Sequence, residues 1–356
     1  MSRTRTLEAH VNEEERRGLP GGVGGLLLDL ASGIKAISAV LARAVVCGAI
    51  GALGGDDPQA RLDLLANDLL LSACATGGHV AAVASEELPE PKLVFGRHAS
   101  PLVVALDALD GSSNLCVNVT VGTIFSVLPR PEGVELGPAA FLQAGQRQLC
   151  AGYALYGPST MLVVTTGGAV NGFTLDAGAG EFVLTHPAMR ISEDTREFAI
   201  NASAARHWDR PVRRYVDECV AGGAGPRGAD FDMRWVGSVV PDVHRVLVRG
   251  GTLMYPGDGV AADGGAVPAT GGASLRLVYE ANPVALLVEH AGGGASTGRG
   301  RVLELVPRDL AERAPVILGP AREVERIVSY HADPDGSRDR PYTSPLFNAR
   351  SLLRET

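Results

Sequence analysis

Two groups of acids set the chemistry this chain could perform. The segment DALDGSSN (107–114) places Asp107 and Asp110 three residues apart at the end of an apolar run, and Glu86 and Glu87 stand upstream. Gly111 lets the backbone fold back, so that the amides after it can point into the same space. Carboxylate and carbonyl oxygens suit a hard cation such as Mg²⁺, and exposed N–H groups suit phosphate oxygens. An isolated DxxDG is more often a solvated turn, and this one lacks the alternation of an EF-hand. Here further acids accompany it: Asp57 and Asp63 lie at the start of a helical segment, and Glu280 closes a later strand-like run. Two such charges about 5 Å apart would repel by roughly 3 kcal/mol at an effective dielectric of 20, so converging acids would require cations.

Strands and helices must bring these residues together. Leu26, Leu27, Leu30, Ile34, Ile37, Leu41 and Val45 recur at three- and four-residue spacing, broken by one single step. That is the period of an amphipathic helix, expected to end at Gly54-Gly55, with the apolar stretch 44–53 as its buried end. This stretch is about half the roughly 20 residues a membrane span needs. A second helix is expected over 59–74, with Pro58 in its first turn. Strands are expected over 102–107 and 117–128, flanking the DGSSN turn, and at 151–156, 161–166 and 181–184. The polar stretch 190–197 divides the chain into a helix-and-sheet domain, 1–192, and an α/β domain, 193–356. In the second, helices are expected over 208–220, 239–248 and 285–291, and strands over 252–255 and 275–279. A glycine-rich loop, 257–272, joins two of these strands. Interleaving of this kind predicts an α/β fold of layered helices and mixed sheets.

With 356 residues, 46% of them hydrophobic, the chain can bury a substantial core. A net charge of −8 argues against general binding to nucleic acid or anionic membranes, so phosphate must be met locally by metal, amides and a few cations. Cys47, Cys74, Cys116, Cys150 and Cys219 are widely spaced, odd in number and never form CxxC. Neither a disulfide framework nor a zinc site is indicated, and a reducing cytoplasm fits. Residues 1–20 lack the apolar run of a secretory signal, so no export is expected. The histidines show no zinc-ligand spacing. Residues 293–299 mimic a P-loop but lack its Lys and Ser/Thr, and read as a turn after a helix. The charge run 13–17 reads as a solvated terminal segment.

VASEE (83–87), LDALDGSSN (106–114), VNVTVGTIFSVL (117–128), AGYALYGPSTMLV (151–163), GSVVPDVHRVL (237–247), LRLVYEANPVA (275–285) and RAPVILG (313–319) resemble the ordered blocks of the class I fructose-1,6-bisphosphatases, bacterial type. The resemblance runs from about Leu26 to His331. It implies the layered αβαβα sugar-phosphatase fold shared with inositol monophosphatases, which usually carry DGT at this turn. It further implies that Glu86, Glu87, Asp107, the Leu109 carbonyl, Asp110 and Glu280 ligate Mg²⁺, with Mn²⁺ as a substitute and more than one ion per site. Asp57 and Asp63 match family acids that complete the site. Gly111, Ser112 and Ser113 would offer amides to the 1-phosphate, together with Asp110. Asn201, Arg234 and Tyr255 match contacts to the distal phosphate, Arg234 reaching across from a neighbouring subunit of a homotetramer. Arg276 would lie near the sugar phosphate.

The implied reaction is Mg²⁺-dependent removal of the 1-phosphate of fructose 1,6-bisphosphate, by in-line attack of an activated water, in gluconeogenesis or Calvin-type carbon metabolism. Asp63 and Glu87 are the pair expected to orient and deprotonate that water. The chain departs from the pattern at Ala108, where the family usually has Pro, and at Ser274, where it usually carries Lys or Arg against the distal phosphate. Ala204 and Trp235 replace tyrosines of vertebrate relatives. Losing one charged hydrogen bond at Ser274 is worth about 1.5–3 kcal/mol. The vertebrate-type AMP site has Pro101-Leu102 for its Lys-Tyr, Gln146 for its Arg, and the 21–25 glycine run for its N-terminal turn, so inhibition by AMP is not expected. Two rival readings remain: a sedoheptulose-1,7-bisphosphatase or dual enzyme, and a catalytically weak paralogue acting as a binding protein.

Overall fold

The computed structural model describes residues 5–46, 58–94, 100–257 and 274–333. The chain opens with helices α1 (Leu7–Arg16), α2 (Val23–Val46) and α3 (Pro58–Gly77). The apolar stripe of α2 is what the fold buries: Leu26, Leu27, Leu30, Ile34 and Ile37 are at most 1% exposed. They share a core with Leu62, Ala66 and Leu70 of α3. Val23–Arg43 is long and apolar enough to cross a membrane, but its hydropathy here builds the interior. Pro58 takes the first helical position, where its missing N–H costs nothing. Gly54-Gly55 lie outside the described residues, as does all of 44–53 except the helical backbone of 44–46.

The charge run 13–17 faces solvent, and it is helical. It ends α1, where Glu13 pairs with Arg5 and Arg17, and Glu14 with Arg17. The same helix buries Leu7, His10 and Val11.

The first sheet contains β1 (Val80–Ser85), β2 (Lys92–Leu93), β3 (Leu102–Asp110), β4 (Val121–Pro129), β5 (Cys150–Tyr156), β6 (Thr160–Thr165), β7 (Val170–Asp176) and β8 (Glu181–Met189). Their order is β2-β1-β3-β4-β5-β6-β7-β8, with only β1 and β3 parallel. The second half supplies β9 (Glu197–Ile200), α4 (Arg210–Val220), β10 (Asp232–Met233), α5 (Val239–Arg249), β11 (Thr252–Tyr255), β12 (Leu275–Arg276), α6 (Asn282–His290), β13 (Gly293–Ser296), β14 (Arg313–Ala314), β15 (Val316–Pro320) and α7 (Ala321–Ala332). Its sheet runs β10-β9-β11-β15-β13, and β12 pairs with β14 separately.

Alternation along the strands generates the layers. In β3, Val104, Leu106 and Ala108 face the core shared with α2 and α3, while Val103 and Ala105 pack with Val278 and Tyr279 on the other side. Ala199, Leu253 and Leu318 of the second sheet share a core with Val243 of α5 and Leu287 of α6. Ile200, Met254 and Ile317, on its opposite face, meet Tyr215 of α4 and Ile327 of α7. Helices, sheet, helices, sheet and helices follow one another.

Several expected boundaries move. The strand expected from residue 117 begins at Val121, because 112–117 winds into a 3-10 turn and Asn118 takes a left-handed φ of 55°. β7 had no counterpart among the expected strands, since Asn171 and Gly172 break its apolar alternation. Residues 293–296 are an edge strand rather than a turn. The strand expected over 275–279 stops at Arg276, and Leu277–Ala281 forms a π-helical turn leading into α6. Of the loop 257–272, all but Gly257 lies outside the described residues.

Candidate metal and phosphate site

Asp107 and Asp110 should face opposite sides of a regular strand, since three is an odd spacing. They share one side because β3 carries a bulge: Asp107 pairs with Ile124 but Asp110 with Gly122, three residues against two. The π turn then delivers Glu280 from the other half of the chain, an example of the functional placement common to such turns. One carboxylate oxygen from each of Asp107, Asp110 and Glu280 lies within 4.8 Å of the others.

Asp110 is clamped by the start of α5. The Ser238 hydroxyl donates to Oδ2 at 2.6 Å, the Val240 amide to Oδ2 at 2.7 Å and the Val239 amide to Oδ1 at 3.1 Å. Helix N-terminal amides thereby offset part of the burial of this carboxylate. Gly111 follows with φ 72°, and a Cβ there would overlap the Ser238 side chain. Only glycine therefore allows the turn to close this tightly against α5. The amides of Gly111, Ser112 and Ser113 come ahead of the turn's first internal bond, from Asn114 N–H to the Gly111 carbonyl at 2.8 Å.

Glu86 and Glu87 follow the end of β1, where Ser85 donates to Asn67 Oδ1 of α3 at 2.6 Å and accepts from the Glu87 amide at 3.3 Å. Arg276 Nε approaches Glu86 Oε1 to 2.7 Å as a charge contact without hydrogen-bond alignment. Its amide donates to Glu280 Oε2 at 2.6 Å. Asp63 is half-buried on α3, one turn before Asn67 and so on the same face. It is not part of the three-carboxylate group. Asp57 lies outside the described residues.

Burial raises the carboxyls of Glu86, Asp107, Asp110 and Glu280. Asp107 is pushed well above the usual range by desolvation and then by Glu86, Asp110, Glu280 and Glu87. Desolvation and Glu86 push Glu280 to about 8. Glu86 also rises through burial, against the pull of Arg276 and Arg313. Asp110 rises through burial although its three hydrogen bonds oppose this. Glu86 Oε2 is buried without a hydrogen-bond partner. Converging oxygen donors, mutual repulsion and an orphaned carboxylate oxygen fit a hard divalent cation. Leu109, whose carbonyl was expected to add a ligand, is 5% exposed inside the bulge.

The expected distal-phosphate residues occupy the second sheet. Tyr255 is buried, with its ring 5.2 Å from that of Trp235, and Asp242, Asp110 and Glu280 help burial to raise its hydroxyl pKa. Arg234 is exposed and pairs with Asp232 at 3.1 Å. Asn201 caps the 3-10 turn Ala202–His207, accepting from Ser203 N at 3.1 Å and Ser203 Oγ at 2.6 Å. Ser274 offers its carbonyl to Arg313 Nη1 at 2.8 Å. The β12–β14 register sets Arg313 opposite Arg276.

Sequence reasoning did not single out Ser238, Asn67, Asp242 or Arg313. Ser238, Asp242 and Arg313 lay inside quoted blocks, but long-range pairing alone reveals what they touch. Asn67 had a fainter signal, as a polar residue one turn from Asp63 on the same helix face.

Two sheets separated and flanked by helix layers, with a carboxylate cluster beside a tight DG turn, define the layered α/β sugar-phosphatase fold. Residues 5–187 match the model of the fructose-1,6-bisphosphatase N-terminal domain, and 191–332 that of its C-terminal domain. A class 1 fructose-1,6-bisphosphatase of Hydrogenophilus thermoluteolus is 48% identical, covering 99% of this chain and 98% of that protein. One from Methylibium petroleiphilum is 47% identical, with 96% of each covered. Crystal structures of Leishmania major fructose-1,6-bisphosphatase, in holo form and in T-state, superpose with TM-scores of 0.82 and 0.80 at 31% identity. Each covers 92% of this chain and 99% of its own. The chain belongs to the class I fructose-1,6-bisphosphatase family.

Proposed function

We propose that this chain removes the 1-phosphate of fructose 1,6-bisphosphate, giving fructose 6-phosphate and inorganic phosphate, with Mg²⁺ as its cofactor. The observation that carries this reading is the buried Asp107, Asp110 and Glu280 cluster at the mouth of the DGSSN turn in a chain of this family. Glu86, Glu87, Asp107, Asp110, Glu280 and the Leu109 carbonyl hold the cation, with Asp57 completing the set. A cation there supplies charge neutralisation at the phosphoryl oxygens and lowers the pKa of the attacking water.

The chain's own groups do the rest. The Gly111, Ser112 and Ser113 amides take the oxygens of the 1-phosphate, and Arg276 balances Glu86 beside it. Asp63 and Glu87 orient the water and receive its proton. Asn201 and Tyr255 hold the distal phosphate together with Arg234 of a neighbouring subunit, with Ser274 at its margin. Exposure of Arg234, Met233 and Val236 along the edge strand β10 and just beyond it supports a neighbouring subunit in a homotetramer. The free thiols Cys74, Cys116, Cys150 and Cys219 suit the reducing cytoplasm.

Initial rates of phosphate release, with and without Mg²⁺, should be measured on fructose 1,6-bisphosphate, sedoheptulose 1,7-bisphosphate and inositol 1-phosphate. Turnover of fructose 1,6-bisphosphate only with Mg²⁺ is expected. Exclusive turnover of the sedoheptulose ester would reassign the substrate, and binding of Mg²⁺ without any turnover would favour a binding protein.

A further inference from the structure

Residues 234–238 belong to no helix or strand, yet they join two parts of the site. At one end stands Arg234, followed by Trp235 against Tyr255. At the other, Ser238 donates to Asp110, as do the next two amides. Between these ends, the amides of Val236 and Gly237 both donate to Asp242, at 2.9 Å to Oδ1 and 3.1 Å to Oδ2. Asp242 is 2% exposed and comes from the first turn of α5, the helix whose N-terminus clamps Asp110. One buried carboxylate thus fixes the middle of a loop whose two ends serve the two phosphate regions.

We infer that Asp242 is a positioning residue that holds Trp235 against Tyr255 in fixed register with Asp110, so that the distal-phosphate pocket and the metal end of one subunit keep a set separation. The inference rests on the reading under Proposed function. The physical reason is preorganisation: a loop already in place realises the binding energy of the distal phosphate, whereas a loose one must be ordered at every binding event. That energy helps align the 1-phosphate for attack. A carboxylate that merely stabilised α5 would weaken the whole protein without distinguishing one phosphate from the other.

Asp242→Asn keeps the shape but turns one acceptor into a donor facing an N–H. In this variant the KM for fructose 1,6-bisphosphate and the inhibition constant of fructose 6-phosphate, which carries only the distal phosphate, should rise about tenfold. The inhibition constant of inorganic phosphate, reporting on the metal end, should stay within about twofold. In a Trp208→Phe background, Trp235 fluorescence should become more accessible to acrylamide. Val236→Pro removes one donor without touching the buried acid, and it should reproduce the split should the Asn variant not fold. Equal changes in both inhibition constants, or no change in either, would overturn the inference. Wild-type protein inactive on every sugar bisphosphate would instead overturn the proposed reaction. Quenching then decides the positioning role alone: an unchanged Trp235 refutes it and a loosened one upholds it.

Discussion

Asp107, Asp110 and Glu280 are held close enough that each makes the others harder to ionise, and cation loading is the remedy. Asp107→Asn should abolish saturable Mg²⁺ binding by calorimetry and lower kcat by roughly two powers of ten or more. In EDTA at pH 8 the same variant should melt above wild type, because a repelling charge has gone; a lower melting temperature would contradict the cluster's electrostatics. Glu280 gives the pH dependence. Its pKa in the folded protein is raised to about 8, against about 4.3 in an unfolded chain, so its protonated form favours folding. That contribution is fully present below about pH 4.3 and is lost as pH rises through 8. Metal-free protein should therefore melt progressively lower from pH 5 to 8.5. Saturating Mg²⁺ should flatten or reverse the slope, because the cation takes the carboxylate form. Parallel melting curves with and without Mg²⁺ would exclude a cation at these acids. The acids themselves were legible as DxxDG, EE and a distant Glu. What holds Asp110 was not, because Ser238 lies 128 residues away and only the fold brings it close.

At the scale of elements, the site depends on irregularities that periodicity cannot forecast. The strand over 252–255 and the helix starting at 239 are where the pattern placed them, because nothing interrupts their alternation or their stripe. LRLVY (275–279) has the composition of a strand, yet it turns into a π-helical segment that aims Glu280 at the bulge of β3. No local propensity distinguishes these outcomes, so tertiary pairing decides. The joint between α3 and β1 is equally hidden, and it can be tested. Asn67 and Ser85 are each 1% exposed and bonded at 2.6 Å, just before Glu86. Asn67→Ala strands a buried hydroxyl and should cost about 1–3 kcal/mol of stability by denaturant titration. The Glu86-Glu87 turn loses its anchor too, so the Mg²⁺ concentration for half-maximal rate should rise several-fold, with a smaller change in the KM of the sugar ester. A larger effect on the sugar than on the metal would mean that this joint does not support the cation site.

For the whole molecule, the layering explains why residues nearly 200 apart in sequence can form one site, and it also closes a region that resemblance marks as regulatory in vertebrate relatives. The glycine run 21–25 enters α2 pressed directly onto the layer beneath it. A Cβ on Gly22 would stand 3.3 Å from Leu102 Cδ1, and one on Gly25 would overlap the His79 ring. Glycine is thus what permits the contact, and Leu102, where the AMP-binding pattern has Tyr, is 1% exposed beneath it. His79 also faces the Asp29 carboxylate at 3.8 Å, so a nucleotide phosphate arriving here would meet a carboxylate rather than a pair of cations. Opening the turn would expose Leu26 and Leu27, both buried with the sheet, and at about 25 cal/mol per Å² that loss opposes any ligand. Millimolar AMP should therefore leave both the rate and its dependence on Mg²⁺ unchanged. Cooperative inhibition by micromolar AMP would show that the turn opens despite this packing, and that the nucleotide finds cations elsewhere in the assembly.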